Sequence, residues 1–340
     1  MRTETRTLFN AYLNQLAMLN GISDACQKFA ATPTVEQKLE ERIQDSSDFL
    51  SRINVIGVDN QSGEKVGIDV GSTIASTTDT GSGTEREPVD PSNLDAHGYM
   101  CTQTNFDTAL RYAKLDAWRH FIDFQAKIRN AILKRQALDR IMIGFNGISR
   151  AATSDRTANP LLQDVNIGWL QKWRLHASDQ VMDESEEGSG VVGYGSGAAA
   201  TYQTLDALVY DASESLIDPQ YRDGTDLVAI VGRDILHDKY FPLINQDHKP
   251  TEVKAMDLIL GAKRIGGLPA MRVSGFPAGK ILITPLTNLS IYWQRGTRRR
   301  LVQDNPKRDR IENYESVNEA YVVEDYKAGC LIENITEINE

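Results

Sequence analysis

The sequence predicts an α+β fold with a long polar arm and one long amphipathic helix. Residues 57–106 are crowded with Gly, Ser, Thr, Asp and Pro, and only short alternating patches such as residues 65–70 interrupt them. Residues 115–145 instead carry apolar side chains at the i, i+3, i+4 and i+7 spacing of one buried helical stripe. Several short apolar segments in the C-terminal half read as strands.

The composition is that of a globular protein with ample core. The chain has 340 residues, enough for two domains or one large elaborated domain, and 41% of them are hydrophobic. A net charge of −10 argues against a dedicated nucleic-acid binder, which would carry a basic excess. We find no apolar run of the ~18–20 residues that a membrane span needs, and the first residues do not resemble a signal peptide. The three scattered cysteines fit a reducing compartment.

Two short helices are predicted before the arm. Residues 8–19 place apolar side chains on one helical face, and Gly21 is positioned to end that helix. Pro33 is suited to the start of a second helix over residues 35–43. Since both precede any core-forming segment, they are interpreted as a detachable extension.

The polar arm predicts assembly. Residues 57–106 contain too few apolar groups to offset their ordering entropy. A structureless loop of that length would be unusual in a compact domain. We therefore expect a projecting two-stranded arm that is ordered by lying on a neighbouring molecule.

The long helix and the elements after it complete the prediction. A helix over residues 115–145 would be about 45 Å long, and Asn146 and Gly147 are positioned to end it. Further helices are predicted over residues 161–177, 204–216 and 234–240, and a loop over residues 183–200. Strands are predicted over residues 227–232, 272–273, 281–284, 290–293, 320–326 and 330–332.

One motif points to a nucleotide but lacks the required context. Residues 188–193 match the G-x-G-x-x-G pattern, which needs a buried strand before it and a helix after it. The acidic residues 183–187 precede it and would repel a pyrophosphate, so a surface loop is the favoured interpretation. The histidines and cysteines show no metal-binding spacing, and no nucleophile motif is present. The sequence therefore predicts no catalytic, cofactor or metal site.

A basic run is the strongest candidate contact site. Arg298, Arg299 and Arg300 are consecutive, and a second basic cluster occupies residues 307–310. The run is interpreted either as a contact with phosphates or an acidic partner, or as a solvated turn between two strands. In an acidic chain a second copy is a plausible partner, and Glu85 and Glu87 of its arm are the candidate acceptors.

Several segments resemble one protein family. The chain is similar to the major capsid proteins of P-two-like temperate tailed phages (the Peduovirus group), and the resemblance extends over nearly the whole chain. It departs most in residues 182–201. The matching segments are residues 45–54, 74–80, 128–136, 168–172, 231–233, 238–242, 312–316 and 321–326.

The resemblance implies the Hong Kong ninety-seven type capsid fold. The arm then corresponds to the extended loop, and the long helix to the spine helix. The implied divisions are an N-terminal scaffold-like segment (1–31), N-terminal arm (32–56), extended loop (57–114), peripheral domain with the spine helix (115–204, helix 115–146), axial domain (205–290), peripheral-domain strands (291–326) and a return to the axial domain (327–340).

The resemblance also implies a function and partners. Such proteins form the hexamers and pentamers of an icosahedral head around double-stranded DNA, without catalysis or cofactors. Their implied partners are an internal scaffold with a maturation protease, a portal protein at one vertex and non-specifically bound DNA, in a virion capsid assembled in the bacterial cytoplasm. The segment Phe29, Ala30, Ala31 and Thr32 resembles the junction at which an N-terminal piece is removed. The alternatives are a cellular nanocompartment shell and, less favoured, a nucleotide-dependent enzyme.

Overall fold

The computed structural model describes residues 1–65, 75–88, 95–118, 124–244 and 263–339. Its helices are α1 (Thr3–Asn20), α2 (Pro33–Asp45), α3 (Tyr112–Trp118), α4 (Phe124–Asn146), α5 (Trp169–His176), α6 (Leu205–Leu216), α7 (Pro219–Arg222) and α8 (Arg233–Ile244). Its strands are β1 (Phe29–Ala30), β2 (Asn54–Val58), β3 (Ser62–Lys65), β4 (Asp95–Met100), β5 (Thr102–Asn105), β6 (Thr108–Arg111), β7 (Val181–Met182), β8 (Val192–Tyr194), β9 (Leu227–Val231), β10 (Arg264–Ile265), β11 (Leu268–Arg272), β12 (Ile281–Pro285), β13 (Leu289–Gln294), β14 (Arg299–Asn305), β15 (Arg310–Val323), β16 (Cys330–Ile332) and β17 (Ile335–Glu337). This mixture of helices and sheets confirms the predicted α+β class.

The larger sheet is organised around β15. Within the described residues it has seven strands, in the order β1-β14-β15-β13-β2, with β5 and β6 also paired to β15. The 14 residues of β15 let β13 pair with its C-terminal part and β14 with its N-terminal part. Helices α2, α4 and α5 and this sheet contribute to one hydrophobic core, which contains Ile43, Ile141, Trp169 and Tyr321.

The smaller sheet has a core of its own. In the described part of the chain its strands follow the order β10-β11-β9-β12-β16-β7. Helix α6 covers it with Leu208, Val209 and Ala212. Strand β9 is buried on both faces, because Ala229 points to this second core while Ile230 joins the first. A strand covered on both faces explains the continuous apolar run in its sequence.

Most predicted helices and strands are confirmed. Helix α1 ends at Gly21, which adopts the left-handed conformation with φ 63° that glycine tolerates best. Helices α3 and α4 cover most of the predicted long helix, while residues 119–123 between them lie outside the described part. No helix among the described ranges combines the length and apolar character of a bilayer-spanning segment.

Four predictions are corrected by the structure. The helix predicted over residues 161–177 begins only at Trp169, because Leu162 has φ 60° and Gly168 packs its backbone against Gly144. The loop predicted over residues 183–200 contains the buried strand β8. Strand β11 begins four residues before the predicted strand 272–273 and ends at Arg272. Strand β14 and the first half of β15 were not predicted.

The arm contains the expected pair of strands. Strands β3 and β4 pair antiparallel with an irregularity in register, from Ser62 opposite Met100 to Lys65 opposite Asp95. Residues 75–88 are all exposed. Residues 66–74 and 89–94 lie outside the described ranges, and with them most of the alternating patch 65–70. The end of the predicted arm belongs to the body, since β5 pairs with β15 in the larger sheet.

Candidate inter-subunit surfaces

The basic run does not form one surface. Arg298 is completely buried, while Arg299, the next residue, is exposed and Arg300 is half-buried. The prediction that Arg298 contacts a neighbouring copy is therefore wrong, because its guanidinium is enclosed within its own chain. Arg299 and Arg300 begin β14 rather than a solvated turn. Among the three arginines of the run, Arg299 alone is fully exposed and remains a candidate for contact with a partner.

Arg298 belongs to a buried ion cluster that consists of Glu40, Arg140, Arg298, Glu315 and Glu319. Arg140 Nη1 lies 2.7 Å from Glu40 Oε2, and Arg140 Nη2 lies 2.5 Å from Glu319 Oε1. Arg298 pairs with both Glu40 and Glu315. The cluster joins α2, α4, β15 and the residues just before β14, so it holds the N-terminal arm against the body of the subunit.

The electrostatics of the cluster follow from burial and pairing. Burial opposes ionisation of Glu40, but the Arg140 and Arg298 guanidiniums outweigh it and lower the pKa of Glu40 to about 2. Burial likewise disfavours the charged form of Arg140, yet Glu319 and Glu40 keep its pKa well above the usual value. Burial raises the pKa of Glu319 despite its contact with Arg140. Glu40 is the carboxylate that pairs with both arginines.

The sequence analysis did not predict the buried ion cluster, although the position of Arg140 in the chain indicates a buried charge. Arg140 lies between Ala137 and Ile141 in α4, and both of these are buried. A charged residue inside an apolar helical stripe requires either a buried partner of opposite charge or a side chain that reaches the solvent. The sequence does not identify Glu40 and Glu319 as the partners, because they are 100 and 179 residues away.

The proposed acceptors in the arm are exposed. Glu85 and Glu87 both lie in the exposed segment 75–88. The structure does not bring them to Arg298 or Arg299 within one chain, and a contact with a second copy stays a prediction. Near the root of the arm, Arg295 Nη1 pairs with Asp59 Oδ1 at 3.1 Å in the same chain.

The candidate processing segment is an edge strand. Phe29 and Ala30 form β1, opposite Arg300 and Arg299 of β14, and Ala31 N donates to Arg298 O at 3.0 Å. The segment is extended, but Phe29 and Ala31 are buried while Ala30 is exposed. Only one side of the segment is therefore exposed, because alternate side chains of a strand face opposite sides and the other side here faces the core.

The two N-terminal helices differ in how they are attached. Helix α1 packs Phe9 and Leu16 against a separate cluster with Tyr112, Leu115 and Val302. Helix α2 instead supplies Ile43 to the main core and Glu40 to the ion cluster. The description as a detachable extension thus fits α1 but not α2, and residues 29–32 lie between the two.

The backbone amides of the glycine-rich motif (residues 188–193) are already bound by a side chain of the same chain. The Glu184 carboxylate accepts hydrogen bonds from Gly188 N at 3.0 Å and Gly190 N at 3.1 Å. These amides would have to hold the phosphates of a nucleotide. The motif leads into strand β8 and not into a helix, so it lacks the structural context that a dinucleotide-binding loop requires. Among the residues that the structure describes, no group of three His, Cys, Asp or Glu side chains forms a candidate metal site.

The family is identified by a match over almost the whole chain. A sequence model described as "Phage major capsid protein, P2 family" matches residues 8–335. The chain belongs to the P2 family of phage major capsid proteins. The "Capsid proteins" sequence of Escherichia phage P2 is 55% identical to it and covers 98% of this chain and 95% of that protein. The "Major capsid protein" of Serratia phage KSP20 is 42% identical, with 99% and 98% covered.

Solved structures agree with this P2-family assignment. A chain in the "Satellite phage P4 procapsid including size determination (Sid) protein" matches with a TM-score of 0.83 and 51% identity, over 100% of this chain and 99% of that one. The "Capsid of empty GTA particle" matches with a TM-score of 0.51 at 16% identity, over 86% and 90% of the two chains, which shows the fold alone. These matches confirm the Hong Kong ninety-seven type capsid fold and do not favour a nanocompartment shell.

Proposed function

We propose that this P2-family major capsid protein assembles into the hexamers and pentamers of an icosahedral phage head around double-stranded DNA. The main support for this proposal is the 55% identity to a phage capsid protein over nearly the whole chain. Assembly takes place in the host cytoplasm on an internal scaffold that carries a protease, with a portal at one vertex. The protein acts as a structural subunit and not as a catalyst.

The two cores support the proposed division into domains. The larger sheet, with α4 and α5, is assigned to the peripheral domain, and the smaller sheet with α6 to the axial domain. Strands β7 and β8 depart from the expected boundary at residue 204, because they pair with strands of the axial part. The exposed residues 75–88 are assigned to the extended loop that contacts a neighbouring copy.

Removal of the N-terminal piece is also part of the proposal. A cut within residues 29–32 would release α1 and keep α2, which is attached to the main core. We expect mature chains to begin between Ala30 and Thr34 and unprocessed chains at Met1 or Arg2. Intact mass measurement of DNA-filled heads tests this, and full-length chains in those heads would contradict it.

Co-expression with the neighbouring genes tests the main proposal. We expect closed shells in electron micrographs, and the ultraviolet absorbance of the filled heads should show nucleic acid. Closed shells filled with protein cargo and free of nucleic acid would support the nanocompartment instead. Absence of any closed particle, with the subunit folded, would contradict the proposed function.

A further inference from the structure

The backbone on both sides of the candidate processing segment is bonded to the body of the subunit. Strand β1 pairs antiparallel with β14. Directly after β1, Ala31 N donates to Arg298 O at 3.0 Å, and before it Ala25 O accepts from Val302 N at 3.2 Å. The segment is therefore part of the larger sheet and not a loose connection between α1 and α2.

The side chains of this segment are held as well. Phe29 is 9% exposed and Ala31 is 5% exposed, while Ala30 between them faces solvent. Phe29 belongs to the hydrophobic cluster to which α1 contributes Phe9 and Leu16. Because residues that share packing contacts stabilise one another, displacement of α1 weakens the hold on Phe29.

Polar contacts attach the first turn of α1 to the body. Asp116 Oδ1, in α3, accepts hydrogen bonds from Arg2 N at 3.0 Å and from Thr5 Oγ1 at 2.6 Å. Amides at the start of a helix need an acceptor from outside the helix, and here a carboxylate of α3 supplies one. Arg6 Nη1 also pairs with Asp304 Oδ2 of β14 at 3.1 Å. Helix α1 is thus fixed by polar contacts at its start and by apolar contacts along its length.

This arrangement is unsuited to cleavage. A cleft that binds an extended peptide uses the backbone hydrogen bonds of the peptide and places alternate side chains in pockets. In the folded subunit the Ala31 amide is bonded to Arg298 O, and the side chains of Phe29 and Ala31 are buried. Proteolytic cuts concentrate in exposed segments, and residues 75–88 are such a segment.

We propose that α1 and β1 form a latch (residues 3–30) that keeps the processing segment closed, so that the cut requires the latch to open. The latch opens without unfolding the body, because the cluster that holds α1 is separate from the main core. The rate of cleavage then follows the fraction of subunits in which the latch is open. This inference rests on the proposed removal of the N-terminal piece and adds a contact that controls it.

Limited proteolysis of the full-length subunit with subtilisin tests the latch. In the wild type we expect cuts within residues 75–88 to be at least tenfold faster than cuts within residues 29–32. The double variant Phe9→Ala with Leu16→Ala removes buried side chains of α1 and should speed the cut within residues 29–32 at least tenfold. Met18→Ala is the matched control, because Met18 lies on the same helix and is 79% exposed.

The cut within residues 75–88 is the internal reference for protease activity, and its rate should be the same in all variants. Equal rates at the two segments in the wild type would show that the processing segment is already open and would overturn the proposal. An unchanged rate at residues 29–32 in the double variant would show that α1 does not hold the segment closed.

A milder variant keeps the test decisive if the double variant does not fold. Thr5→Val removes one hydrogen bond to Asp116, and the cut within residues 29–32 should become about threefold faster, as expected for one ordinary hydrogen bond. An unchanged rate in this variant would then overturn the proposal.

Failure of the proposed processing gives a different result from failure of the latch. If the N-terminal piece is not removed during maturation, DNA-filled heads contain full-length chains. The proteolysis rates are measured on the isolated subunit with an added protease, so they decide whether the latch exists in either case.

Discussion

Arg298 and Arg299 are neighbours in the chain and have opposite surroundings. Arg298 is enclosed by Glu40 and Glu315, whereas Arg299 is exposed at the start of β14. Removing one member of a buried ion pair leaves an uncompensated charge, while an exposed charge is stabilised by water. The two adjacent arginines therefore have different roles.

Substitution of each arginine separates these roles. We expect Arg298→Leu to lower the free energy of unfolding of the subunit by about 3–5 kcal/mol, because Glu40 and Glu315 lose their shared cation. Arg299→Leu is the control and should leave it nearly unchanged. Urea unfolding of both subunits measures the difference, and equal stabilities would show that the buried cluster does not hold α2 to the body.

The cluster also predicts an acid dependence. The folded-state pKa of Glu40 is about 2, below its ordinary value of 4.5. Its contribution to stability is therefore complete above pH 4.5 and is lost as the pH falls toward 2. Glu319, whose pKa is raised by burial, has the opposite sign and favours the folded state at low pH.

Unfolding free energies between pH 4.5 and 2 test this assignment. We expect a steep loss of stability in the wild type and a shallower slope in Glu40→Gln, whose amide does not titrate. Glu41→Gln changes the exposed neighbour and should retain the wild-type slope. An unchanged slope in Glu40→Gln would assign the acid dependence to other carboxylates.

At the scale of elements, helices α4 and α5 pack closely because Gly144 of α4 has no side chain. A Cβ atom at Gly144 would lie 2.2 Å from Trp169 Cζ3. Trp169 is completely buried, and its Nε1 donates to Ser290 O at 3.0 Å, so the ring is held in place from the other side. The glycine in α4 is explained by this close approach and not by a kink.

Gly144→Ala should therefore destabilise the subunit. In an exposed helix this change would be stabilising, but here the methyl group forces Trp169 to move, at a cost of about 1–3 kcal/mol. Asn130→Ala, at an exposed position of the same helix, is the control. Thermal unfolding with near-ultraviolet circular dichroism reports both stability and the environment of the tryptophan, and a higher melting temperature for Gly144→Ala would contradict the packing argument.

On the scale of the whole molecule, the arm and the body differ in how much they contribute to the stability of the single subunit. The body has two cores of its own, whereas residues 75–88 are exposed throughout. An exposed polar segment contributes little to the stability of its own subunit. Its contribution is expected in the assembled shell.

Shortening the arm tests this division. Residues 66–94 are replaced by Asn-Gly, which forms a tight turn between Lys65 and Asp95, two residues that are paired across β3 and β4. We expect a soluble subunit with a nearly unchanged melting temperature and no closed shells on co-expression. Normal shells from this variant would show that the arm is not the contact between subunits.

Several local features were predictable because their signals are local. Helix α1 with its glycine end, α6 and the apolar strands β9, β12 and β16 each depend on a short stretch of residues. Strand β14 gave no such signal, because it begins with charged residues and only some of its side chains are buried. The resemblance to phage capsid proteins gave the fold and the candidate processing segment, which short stretches alone do not specify.

The candidate surfaces required the tertiary structure. The run of three arginines reads as one basic patch in the chain, yet β14 pairing and the ion cluster divide it into buried and exposed residues. Helix and strand propensities arise from neighbours in sequence, but burial and ion pairing depend on residues that are distant in the chain, and only folding brings these together.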